Sequence, residues 1–459
     1  MEFEKSSLGK IRPGTKMYVI CALVALSLAG SFVVEAQQIG NVTVQNATGA
    51  AGVFVIRNAR IVTVSGSDIE NGTIVLRDGK IEAVGANVTV PSGAGEIDAR
   101  GLSVYPGMID LGTAMGLIEI SSGAPGTVDT AELGDMNPNA QAIMAVNPHS
   151  AHIDVTRFNG VTSVMTLPLG GVISGQAAII NLNGSSQSEM AVVPNAALVV
   201  NFPRTSAGGG FFQPSPPTNL TEAVTARDRQ IDRVRRMLRD AEAYGRAQDA
   251  YAQNRSLPRP ERDIVLASLV PFVRGERAVV FRADREADIR NVVRFAEEMK
   301  LRPVILGGND AWKIAQFLKE RNVPVILTGI LDLPSREDDP YDVQFETAAK
   351  LQAAGVRFCI STGDSGAHVR DLPFHAGMAA AYGLPRAEAL KAVTLYPAQI
   401  MGLADRMGTI EAGKIANLFV ADGDPLDART NIRYLFIGGR QIPLTNRHTE
   451  LYEQFKNRR

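Results

Sequence analysis

Two hydrophobic periods alternate along the chain. Between Gly52 and Val104 apolar and polar positions follow the two-residue period of a strand, as in Val53-Phe54-Val55-Ile56, Arg60-Ile61-Val62-Thr63-Val64 and Thr73-Ile74-Val75-Leu76, with turn residues at Asn71-Gly72 and Asp78-Gly79. A small antiparallel β unit is predicted there. The period then lengthens to that of a helix. Glu286 to Lys300 places Ile289, Val292, Val293 and Ala296 on one face and leads into Pro303-Val304-Ile305-Leu306, and Asp310 to Arg321 places Ala311, Ile314, Phe317 and Leu318 on one face and leads into Val323–Leu327. Tyr341 to Ala354 leads in the same way into Val356–Ile360. Repeated helix-then-strand units predict a parallel sheet with right-handed crossovers. Strand candidates at 104–110, 161–167, 175–182, 196–203 and 277–282 bring the count to about eight, the number that closes a (β/α)₈ barrel. The two-residue period returns at Asn417–Ala421 and Tyr434–Ile437, so strands from both chain ends are expected to pair beside the barrel.

Two segments interrupt the barrel pattern, forming a helical insertion near 206–260. Residues 206–217 combine three glycines, Phe211-Phe212 and a proline run after a strand, where barrel active-site loops emerge; the readings are a lid or an ordinary surface loop. Residues 221–252 predict a long helix opened by Asn219 with Glu222 three residues on. Its Arg227, Arg229, Arg233, Arg235, Arg236 and Arg239 are interspersed with Asp228, Asp232 and Asp240, which predicts a solvated, ion-paired face.

Composition narrows the class. The 459 residues are 45% hydrophobic and 21% charged, enough for a large core and unlike any disordered or collagen-like chain. Lys plus Arg (47) against Asp plus Glu (48) gives a net charge of −1, so no nucleic-acid partner is expected. The two cysteines, Cys21 and Cys359, build no disulfide framework, and no disulfide partner is expected. Lys5, Lys10, Arg12 and Lys16 precede an uncharged run from Met17 to Val34, and Val34-Glu35-Ala36 offers a cleavage site, so residues 1–36 read as an export signal and the folded part as extracytoplasmic. A single N-terminal membrane anchor is the alternative.

Several segments then carry a family resemblance. Arg100-Gly101-Leu102-Ser103-Val104-Tyr105-Pro106-Gly107-Met108-Ile109-Asp110 resembles the segment that enters the barrel in the amidohydrolase superfamily. Met407–Leu418 and Gly423-Asp424-Pro425 resemble the return to that superfamily's β-sandwich, and Thr394–Ala398 its final helix start. The likeness is to the imidazolonepropionase-like branch. It implies an α/β fold: a (β/α)₈ TIM-like barrel over 106–404 with a composite β-sandwich from 53–105 plus 405–445. It also implies hydrolysis of non-peptide C–N bonds with zinc or another divalent metal.

At the site this sequence departs from the resemblance. The family's H-x-H pair falls on Gly112 and Ala114, its fifth-strand histidine on Arg282 and its sixth-strand histidine on Gly307-Gly308, and no lysine stands near Asn201 at the fourth strand end. Of the family's set only the eighth-strand aspartate persists, as Asp364. No metal ligand set and no cofactor are therefore predicted. Asp364, His368 and His375 are the catalytic candidates, since histidine supplies acid/base chemistry near neutral pH. Arg282, Asp110 and Asn201 are the candidate substrate contacts. His149 and His152, spaced for chelation on a helix, lack a visible third ligand, and the acidic residues after the first strand suit a solvated loop. The expectation is an exported amidohydrolase-superfamily protein with a degenerate metal site and a small-molecule substrate or ligand. The alternative is a catalytically inactive homologue or binding subunit, forming an oligomer with itself or with a related active amidohydrolase.

Overall fold

The computed structural model describes residues 48–120, 124–204, 219–334 and 336–458. The expected export signal and the 206–217 lid lie outside the described residues. Gln45–Arg459 form one compact unit.

Strands β1 (Phe54–Ile61), β2 (Ile69–Arg77), β3 (Lys80–Gly85), β4 (Gly95–Asp98) and β5 (Ser103–Pro106) come from the N-terminal part, and β6 (Met108–Thr113) follows one residue later. Then come β7 (Val161–Thr166), β8 (Ile173–Asn181), β9 (Ala191–Asn201), β10 (Ala278–Ala283), β11 (Arg302–Gly307), β12 (Val325–Leu327) and β13 (Phe358–Ile360). The chain closes with β14 (Leu418–Ala421), β15 (Ile432–Ile437) and β16 (Arg440–Ile442). The end strands share one eight-stranded sheet in the order β16-β15-β14-β5-β1-β2-β3, with β4 beside β1. Both chain ends do meet in it, through the antiparallel β5–β14 pair. The described strands pair continuously from β16 to β3, and Phe54 of β1 meets Phe436 of β15 with ring centroids 5.3 Å apart across their shared core.

β6 to β13 pair in consecutive order as a second eight-stranded sheet. It is a nearly closed barrel, with one departure from the all-parallel expectation: β8 runs antiparallel to both β7 and β9. The cause is chain length. Only Leu167–Val172 joins β7 to β8, too few residues for a parallel crossover, which needs a dozen or more. Gly170 and Gly171, at φ +84° and +64°, turn the chain back instead.

Alternate residues of the strands divide between two cores, as a pleated strand requires. Ile109, Leu111, Val199, Val280, Val304, Leu306, Ile326 and Cys359 fill the barrel interior. Val279, Phe281, Ile305 and Leu327 face the surrounding helices. The predicted amphipathic segments form helices Glu286–Glu298 and Val343–Ala354, the latter stopped by Gly355 at φ +74°. The insertion is a 34-residue helix, Leu220–Gln253, capped by Asn219 and packed on the helix Ile264–Val273. Arg227, Arg235 and Arg246 pair with Asp228, Asp232 and Glu242 of the same helix, while Arg233 reaches Asp135 and both Arg235 and Arg239 reach Glu298 of the next barrel helix at 2.7 and 3.2 Å.

Candidate functional site

The C-terminal ends of β9, β10 and β11 open into a pocket of about 320 Å³, floored by Gly112 and Leu306 and walled by Asn201, Arg282, Asp284 and Thr328. This is the end at which barrel folds place their sites. A larger hollow of about 620 Å³ lies between the end-strand sheet and the helix Arg386–Ala392; it holds the Arg60–Asp68 and Arg386–Asp424 ion pairs and no barrel strand end.

Arg282 follows Val280 by two residues, so strand alternation carries it from the barrel interior into the mouth. Burial draws its guanidinium below the ordinary arginine value, with Asp284 acting the other way, and its Nε is buried with no hydrogen-bond partner. Asp284, two residues further, projects to the same side. Burial raises its carboxyl above the ordinary aspartate value, while Arg204, the Asn309 N–H and Arg282 pull against that rise. The sequence signal for Asp284 and Arg204 was their spacing around strand ends, Arg282-x-Asp284 above all, which histidine counting passes over.

Glycine makes room for this arrangement. Gly307 sits at φ +111°, and a side chain there would collide with Asp284 Oδ1. At Gly112 an added Cβ would meet Ser361 Oγ at 2.5 Å and Leu306 Cδ1 at 3.1 Å. At two of the positions where the resemblance implies metal-holding histidines, the neighbouring space is thus filled by a carboxylate and a hydroxyl.

Asp110, a candidate substrate contact, is not among the residues that line this pocket. Ile109 and Leu111 point into the barrel, so Asp110 between them turns to the seam between β6 and β13 and is 0% exposed. Its Oδ1 accepts from the Gly112 N–H (3.0 Å) and the Ser361 hydroxyl, and its Oδ2 from the Thr362 N–H (3.1 Å) and hydroxyl (2.6 Å). All four lone-pair positions of the carboxylate are used, leaving none for a ligand. Asn201 does line the pocket, with its amide nitrogen donating to Gly171 O at 2.8 Å and Ser174 Oγ at 3.1 Å.

None of the three catalytic candidates lines the pocket, although Gly363, the neighbour of Asp364, does. Asp364 Oδ1 accepts from the Gly366 and His368 N–H groups at 2.8 and 3.1 Å, which fixes its own loop. His368 is exposed, with Nδ1 3.3 Å from Asp371 Oδ2. His375 is buried in the helix Leu372–Ala381 with its Nδ1 unpartnered; burial lowers its pKa, against Asp110, Asp371, Asp332 and Asp364. The neighbour that acts on Arg282 is Asp284 rather than Asp364. Elsewhere, His152 Nε2 contacts Glu119 O at 3.0 Å. Among the described residues no three His, Cys, Asp or Glu side chains converge as a metal-holding group, so the donors present do not fit a zinc centre. Cys359 is a free thiol inside the barrel, and burial pushes its pKa well up.

Residues 305–442 match the model of the amidohydrolase family. The amidohydrolase tasK of Hapsidospora irregularis is 25% identical over 379 residues, covering 78% of this chain and 38% of that protein. The chain therefore spans well under half the length of this curated relative. An amidohydrolase from Thermotoga maritima MSB8 is 26% identical with a TM-score of 0.75, over 85% of this chain and 99% of that one. A prolidase solved with N-methylphosphonate-L-proline shares the fold at 18% identity and a TM-score of 0.53, over 85% of this chain and 99% of that one. Residues 305–442 thus resemble the amidohydrolase family, and the similar solved structures include amidohydrolases.

Proposed function

We propose that this chain is an exported amidohydrolase-superfamily protein of the imidazolonepropionase-like branch, with a degenerate metal site and a barrel mouth that still binds a small molecule. The branch rests on the Arg100–Asp110 and Met407–Leu418 segments, and export on the basic and apolar residues before Ala36. The observation that carries the reading is the replacement at the strand ends: Gly112, Ala114, Arg282 and Gly307 stand where the resemblance implies metal ligands, and Asp284 and Ser361 occupy the adjoining space.

Magnitudes set the expected activity. A bound metal lowers the pKa of water from ~15.7 to ~7, roughly 12 kcal/mol of nucleophile activation. A positioned general base contributes ~10² to 10⁴-fold, about 3–5 kcal/mol. Asp284, a half-enclosed carboxyl with raised proton affinity, is the group in the mouth suited to hold a proton from an attacking water, and Arg282 is suited to stabilise an anion. That pair supports at most the cleavage of activated C–N bonds. Steady-state rates on a panel of lactams and amides, with and without added Zn²⁺, Mn²⁺ and Mg²⁺, test the proposal. Turnover that is near background and unmoved by the metals agrees with it; metal-stimulated turnover at ordinary enzymic rates contradicts it.

A further inference from the structure

We propose that the barrel mouth selects small monoanions, carboxylates in particular, and that Arg282 is the group that grips them. The inference rests on the reading of the mouth as a small-molecule site.

Three observations converge. Arg282 enters a closed-in pocket at a strand end, and its Nε is buried there without a hydrogen-bond partner. A guanidinium presents its donors as a planar fork that matches a carboxylate, so the unmet donor is on the group best shaped for this ligand. Its counter-charge is also shared: Asp284 is attracted by Arg204 and bonded by the Asn309 N–H as well as acting on Arg282. The buried cation is therefore incompletely compensated, a costly state that an incoming anion relieves.

The size of the charge follows from the other lining groups. Arg204 at the rim gives a second guanidinium, while Asp284 and Asp288 give two carboxylates. Two guanidiniums and two carboxylates balance in number, so the second charge of a dianion such as phosphate finds no further cation to meet it, whereas a single carboxylate can be held by Arg282 and Arg204.

Calorimetric titration of the full chain with matched pairs tests this: acetate and acetamide, benzoate and benzamide, N-acetyl-alanine and N-acetyl-alaninamide, with inorganic phosphate as the dianion. In at least one pair the carboxylate should bind tenfold or more tightly than its amide, and more tightly than phosphate. Arg282→Gln should abolish that preference, and Arg282→Lys should retain part of it. Arg204 is exposed, so Arg204→Gln keeps the question decidable should Arg282→Gln unfold; it should weaken the preference about threefold or more. Equal binding of acid and amide, failure of every carboxylate to bind, or an undiminished preference in both glutamine variants overturns the inference. Metal analysis of the same sample separates the two proposals: tightly held zinc refutes the degenerate site, while lost charge discrimination without metal refutes this inference alone.

Discussion

Replacing Asp110 by alanine strands the Ser361 and Thr362 hydroxyls and the Gly112 and Thr362 N–H groups inside the seam that closes the barrel. Hydrogen bonds to a charged group contribute ~1.5–3 kcal/mol each when one partner is removed, without full additivity, so Asp110→Ala should cost at least about 3 kcal/mol in urea unfolding. His375 carries a pH prediction. Burial holds its folded pKa below the ordinary 6.5, so as pH falls the unfolded chain takes up a proton before the folded chain does. Its contribution is complete above about pH 6.5 and is lost as pH drops through that value, with a slope of at most ~1.4 kcal/mol per pH unit. His375→Leu should flatten the stability profile between pH 7 and 5.5; an unchanged slope would show that another group governs it. The placement of Asn201 and Arg282 at strand ends was legible in the sequence, because local periodicity marks where a strand stops. The role of Asp110 was not, since the Ser361 and Thr362 that saturate it lie some 250 residues away.

At the scale of elements, local periodicity located the eight barrel strands and the helices Glu286–Glu298, Val343–Ala354 and Leu220–Gln253 with its Asn219 cap, but not the helices Ile264–Val273, Leu372–Ala381 and Arg386–Ala392 or the short strands β3, β4 and β16. What periodicity does not carry is strand direction. β8 reads as one more buried strand, and only the short Leu167–Val172 link makes it antiparallel. The pairing order of the strands from the two chain ends is a similar case, because alternation marks a half-buried strand without naming its neighbours. Caps give a direct test of element stability. The Asp263 carboxylate accepts from the Val265 and Leu266 N–H groups at 2.8 and 2.9 Å at the start of the Ile264–Val273 helix. Asp263→Ala should cost ~1 kcal/mol, readable as a small fall in the unfolding midpoint. Gly307→Ala should cost more, about 1–3 kcal/mol, because it combines a left-handed backbone with a collision against Asp284.

At the scale of the whole molecule, Asn417 ties the end-strand sheet to the barrel. Its amide donates to Asn181 Oδ1 at 2.8 Å and Ser163 Oγ at 3.1 Å, and its carbonyl oxygen accepts from the Gly438 N–H at 2.8 Å. Through that joint and the single residue between β5 and β6, the sheet sets the position of the first barrel strand, and with it the Asp110 seam and the Gly112 floor of the mouth. The barrel mouth is lined by Arg282 and Asp284 together with Gly112 and Gly307. The most direct test is elemental analysis of the purified protein after dialysis against a mild chelator. A tight catalytic zinc requires three protein ligands in fixed geometry, and these residues do not supply them. The expected content is far below one zinc per chain; one or two zinc ions per chain would contradict the account.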